Sequence, residues 1–198
     1  PTVEPLRVDV YQPMTIESFD VTPKQLVRNV VGTLNISWNA PGAIRTRITG
    51  LSSFTDAPLE TEHGASGALS GISGIPDGPL TLVLVAEDAA GETLDQNISI
   101  ELIDPICTAR EDVSLREGPD DRHQTIATVP AGEAVVIDAR DASSGWLRTK
   151  ITGMMGWARP EAFDCDGNFA IDDLRQEANI LPTPTFTPTA TSTPSPTL

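Results

Sequence analysis

The residues of this chain that could do chemistry are two histidines, two cysteines and a scatter of carboxylates, and their spacing decides what they can do. Ser66 follows His63 within a glycine-rich stretch that reads as a loop; this puts a nucleophile near a base but supplies no third group to orient the base. His123 is isolated, and no Gly-x-Ser-x-Gly, His-Glu-x-x-His or Gly-x-x-x-x-Gly-Lys occurs. Asp120-Asp121 and Asp172-Asp173 are sequence neighbours, which suits a solvated surface better than an acid and a base facing each other across a cleft. Asp164-Cys165-Asp166-Gly167-Asn168 opens like a calcium loop. Its turn position, however, holds Phe169 instead of Gly, and its bidentate position holds Arg175 instead of Glu. Cys-x-x-Cys is absent, so zinc has no ligand set. The expectation is a non-enzymatic chain with no catalytic residue, no metal and no cofactor.

Charge narrows the partners. The net charge of −15 over 198 residues argues against DNA, RNA or an anionic membrane, since each would repel such a surface. No apolar run is long enough to cross a membrane, so no span is expected. The chain opens with Pro1-Thr2-Val3, without a basic-then-apolar leader, and is read as a fragment whose signal or anchor lies elsewhere. Nothing points to self-association, and a monomer is expected.

Many prolines and glycines with few aromatics favour short strands over helices. Period-2 alternation marks strands at Ile16–Val21, Thr33–Trp38, Ile44–Ile48, Leu80–Ala86 and Asn97–Leu102. Asn39-Ala40-Pro41-Gly42, Pro76-Asp77-Gly78-Pro79 and Asp88-Ala89-Ala90-Gly91-Glu92 break the pattern as turns. Residues 14–104 therefore read as an antiparallel sandwich. Leu34-Asn35-Ile36-Ser37-Trp38-Asn39-Ala40-Pro41 resembles the second strand of fibronectin-III and bacterial Ig-like domains, and Val85–Gly91 resembles their penultimate-strand hairpin. Leu6–Pro13 repeats the pattern of Ile98–Pro105, so residues 1–13 are either the first strand of this domain or the tail of a preceding repeat.

The pattern resets at Asp104-Pro105, and a second set of motifs begins. Val113-Ser114-Leu115-Arg116-Glu117-Gly118-Pro119 is followed by Ile126–Val129, Gly132–Ile137, Ser144-Gly145-Trp146-Leu147-Arg148 and Gly153-Met154-Met155-Gly156-Trp157-Ala158. In order and spacing, residues 105–166 resemble the bacterial SH3 (SH3b) domain. The resemblance implies a small β-barrel and a non-catalytic module, found mostly outside bacterial cells and often holding a protein on the cell wall. It also implies that Arg116, Trp146 and Trp157 are the candidate ligand-binding residues, against the plainer role of both tryptophans and Ile137 in packing the barrel. Met154-Met155 and Phe163 depart from the family pattern. Because an SH3-type barrel brings its first and last strands together, Cys107 and Cys165 are expected to form a disulfide, as in an oxidising compartment.

Residues 167–181 are expected to extend the domain and fold back onto the barrel. In 182–198 every residue except Phe186, Ala190 and Leu198 is Pro, Thr or Ser, and none is charged. Such a segment cannot bury a core, and it reads as a disordered, extended linker like those of bacterial surface proteins. The whole is expected to be an all-β, extracellular or cell-surface protein. Three functions remain open: a module that contacts peptidoglycan or another envelope polymer, a structural stalk segment, or an accessory region of a secreted wall hydrolase.

Overall fold

The computed structural model describes residues 13–56 and 62–185. These fold as fourteen strands and three single turns of 3-10 helix, with no α-helix among the described residues. The expectations for residues 1–12 and for disorder in 186–198 lie outside the described residues. The chain forms two compact units. Of the described residues, the first takes those up to Pro105 together with Asp166–Arg175, and the second takes Ile106–Cys165 and those from Gln176 onward.

In the first unit, β1 (Ser18–Thr22), β3 (Gly32–Asn39) and β5 (Ser66–Gly74) form a sheet in the order β1-β3-β5. A second sheet has the order β2-β7-β6-β4, built from β2 (Gln25–Val27), β4 (Arg45–Thr49), β6 (Leu80–Glu87) and β7 (Thr93–Ile103). Alternation drives both: Leu34, Ile36 and Trp38 are buried along β3 while Thr33, Asn35 and Ser37 are exposed, and Leu80, Leu82 and Leu84 do the same along β6. Phe19, Val21, Leu34, Ile36 and Ile72 from one sheet share a core with Leu26, Ile48, Leu82, Leu84 and Ile100 from the other, so the sheets pack face to face.

Three features differ from the sequence reading. Ser66, read as part of a glycine-rich loop after His63, opens strand β5, which pairs along most of β3. A side chain at Gly67 would meet the Trp38 ring at 2.6 Å, so the bare backbone is what lets β5 lie against the indole. Second, the sandwich is not purely antiparallel, because β2 runs parallel to the end of β7, with Leu26 opposite Leu102. Third, the extension after the second unit does not fold onto that unit alone. Val31 donates its N–H to Asp173 O at 2.7 Å, Arg175 donates to Asn29 O at 2.6 Å, and Leu174 is buried beside Val30 in the first unit. Only from Gln176 does the chain rejoin the second unit, where Glu177 N–H donates to Arg140 O at 2.9 Å.

The second unit is a single bent sheet in the order β10-β9-β13-β12-β11-β8-β14. Its strands are β8 (Ile106–Ala109), β9 (Val113–Arg116), β10 (Thr125–Val129), β11 (Ala134–Arg140), β12 (Leu147–Ile151), β13 (Met154–Ala158) and β14 (Phe163–Cys165). β11 serves two neighbours: Ala134–Val136 pair with β8, while Ile137, Ala139 and Arg140 pair with β12 across a register shift. Such an irregularity bends a strand and lets one sheet turn a corner. Val113, Leu115, Val129, Ile137, Leu147 and Phe163 are buried. Cys107 and Cys165 sit directly opposite each other on β8 and β14, and they form a disulfide.

Candidate ligand cleft

The loop between β9 and β10 is closed on itself by short-range bonds. Arg116 Nη1 donates to His123 O at 2.8 Å, His123 N–H donates to Asp120 O, and Asp120 accepts the Arg122 backbone N–H at 2.9 Å. The Arg122 side chain and backbone N–H hold the Asp120 carboxyl well below the ordinary carboxylate range. Gly118 fits here because a Cβ would meet the His123 imidazole at 2.4 Å. The His123 ring is buried, and its Nε2 has no partner among the described residues.

A second loop joins β11 to β12. Asp141 Oδ1 accepts the Trp146 backbone N–H at 2.9 Å, and Oδ2 accepts from the Ser143 N–H and hydroxyl at 3.2 and 2.5 Å. Burial pushes the Asp141 carboxyl up. The bonds from the Ser143 hydroxyl and the N–H groups of Trp146, Ser143 and Gly145 outweigh this and leave it below its ordinary value. Ser144 takes the left-handed conformation with φ 57°, which lets so short a loop close.

The β12–β13 ladder then sets the chemistry. Trp146-Leu147-Arg148 and Trp157-Ala158-Arg159 are two copies of Trp-x-Arg on antiparallel partners, with Arg148 opposite Trp157 and Leu147 opposite Ala158. Trp146 and Arg159 flank that last pair. Each tryptophan therefore lies beside the other strand's arginine, with Arg148 5.9 Å from the Trp157 ring and Arg159 4.4 Å from the Trp146 ring. Only the pairing of the two strands shows which arginine meets which ring.

The two stacks have different surroundings. Arg148 is gripped by Asp138, with bonds of 2.9 and 2.8 Å, and by Glu177; its side chain is only 17% exposed. Burial opposes its charge, but Asp138 and then Glu177 outweigh this and hold it protonated. Arg159 is held by one carboxylate, Asp121, at 2.7 Å; their side chains are 49% and 64% exposed. Asp121 also lies 3.8 Å from Arg116 Nε.

Beside the second stack lies a cleft of about 450 Å³. Arg116, Asp121, Trp146 and Arg159 line it, together with Glu111, Asp112 and Glu161. Of the three residues singled out from the sequence, Arg116 and Trp146 thus meet in one cleft. Trp157 does not line it; it is buried beside Arg148. Asp121, read from the sequence as half of a solvated acidic pair, instead holds Arg159 in the cleft, and Arg159 itself was not among the candidates. Trp146 is itself only 5% exposed, so it is a wall of the cleft and a packing residue at once. Among the described residues no group of His, Cys, Asp and Glu is arranged to hold a metal ion.

Comparison of the chain with protein-family models, with curated proteins and with solved structures finds no match.

Proposed function

We propose that the protein is a non-catalytic extracellular binding module whose second unit contacts a cell-envelope polymer, peptidoglycan peptide or polysaccharide, with the first unit as spacer. The observation that carries this reading is the cleft that brings Arg116 and Trp146 together with Arg159 and Asp121 on a disulfide-closed sheet. An aromatic wall with paired charges suits contact with a sugar face or a peptide. Two further resemblances support it. The bent sheet with β11 shared between neighbours resembles an SH3-type barrel, and the facing sheets β1-β3-β5 and β2-β7-β6-β4 resemble an Ig-like or fibronectin-III-like sandwich. The disulfide fits an oxidising, extracellular setting, and no described helix is long and apolar enough to cross a membrane.

The test is retention of the whole chain on purified, insoluble peptidoglycan at low salt, with Arg159→Ala and Asp121→Ala beside it. Retention that these cleft variants alter supports the reading. Absence of retention on peptidoglycan and on other envelope polymers would overturn it and leave the structural spacer in its place.

A further inference from the structure

We infer that the cleft recognises a cationic group, a protonated amine or guanidinium, and that Arg159 now occupies the seat such a group would take. The inference deepens the proposed binding role and rests on it for the location of the site. Arg159 stacks on Trp146 at 4.4 Å with Asp121 as its counter-ion at 2.7 Å, the arrangement by which proteins hold a ligand cation.

The comparison inside the molecule makes the case. Arg148 on Trp157 is the same stack, but two carboxylates and burial close it, so it is a fixed part of the unit. Arg159 has one exposed partner and opens on the cleft, so it can leave its ring without uncovering a buried charge. The charges left unsatisfied in the cleft are negative. Both guanidinium groups face Asp121, and Arg116 also donates to His123 O. Glu111 and Glu161 line the same cleft with no hydrogen bond or ion pair to another described residue. Its acidic residues, Glu111, Asp112, Asp121 and Glu161, outnumber Arg116 and Arg159. An incoming cation is therefore attracted, and an incoming anion is not. Displacing Arg159 costs affinity, so its removal should strengthen binding.

The experiment follows the Trp146 indole N–H signal of the whole, isotope-labelled chain by NMR. The probes are a short lysine peptide blocked at both ends and the same peptide with its lysine acetylated. The lysine peptide should shift the signal saturably and the acetylated one should not. Arg159→Ala should tighten binding several-fold, and Glu111→Gln combined with Glu161→Gln should loosen it several-fold. Equal response to both peptides, no response to either in wild type and Arg159→Ala alike, or weaker binding by Arg159→Ala would overturn the inference. Retention on peptidoglycan is read separately. A protein that is retained there yet indifferent to the lysine peptide sinks this inference alone, and one that binds the peptide without being retained sinks the wall-polymer reading alone.

Discussion

Asp141 holds Trp146 in place through the backbone rather than the ring: its Oδ1 accepts the N–H of Trp146, five positions on, at 2.9 Å. Replacing Asp141 by Ala strips that donor, and the Ser143 donors with it, of their acceptor. Hydrogen bonds to a charged group contribute about 1.5–3 kcal/mol each when lost singly. Asp141→Ala should lower the melting temperature of the second unit and move the Trp146 emission spectrum. An unchanged melting temperature would show that the loop is held by other means.

The same carboxylate fixes a pH dependence. The folded Asp141 titrates below its unfolded value of about 3.9. Its contribution to stability is therefore present above that pH and is lost as pH falls through the depressed folded value. Asp141→Asn should flatten the acid limb of the stability curve below about pH 4 while leaving neutral pH dependence unaltered. Equal slopes in mutant and wild type would contradict the assignment.

The disulfide between Cys107 and Cys165 closes a loop of 58 positions. In the chain-entropy model that closure stabilises by about 4 kcal/mol. The Cys107→Ser, Cys165→Ser double variant should lose stability of that order in the second unit and little in the first. Titration of the denatured, unreduced protein should detect no free thiol; two free thiols would remove the staple altogether.

Leu174 is buried against Val30 in the first unit, although it follows the last strand of the second in sequence. Leu174→Ala should therefore cost the first unit about 2–5 kcal/mol. For the same reason a piece ending at residue 104 should melt lower than the first unit does in the whole chain. Equal melting temperatures would show that Asp166–Arg175 adds nothing to that core.

Trp157 and Trp146 should separate by function. Trp157→Ala leaves a cavity beneath Arg148, worth about 3–5 kcal/mol, and should unfold the second unit or nearly so. Trp146→Phe keeps an aromatic wall and most of the packing, and should fold with weakened retention on peptidoglycan. If Trp146→Phe binds as well as wild type while it folds, the indole is not part of the contact.

The strand content was legible because alternation is a local signal: Thr33–Trp38 and Leu80–Ala86 each show their buried face in the sequence alone. Strand β5 was not legible, because its glycines and serines carry no hydrophobic period. Its place is set by Trp38, which needs the bare backbone at Gly67. The short parallel strand β2 was hidden for a related reason: three residues give no periodicity, and only the end of β7 gives it a partner.

The sequence by itself determined that this is an all-β protein with strands at definite places and two cysteines whose chance of pairing rested on a resemblance. Tertiary structure alone decided that Arg116 and Trp146 share a cleft, that Trp157 does not, and that Asp121 stands between two arginines. It also decided that Asp166–Arg175 belongs with the first unit. The physical reason is range. Side-chain alternation along a strand is written in neighbouring residues, whereas the register of one strand on another, and the loop that closes over it, depend on packing between residues far apart in the chain.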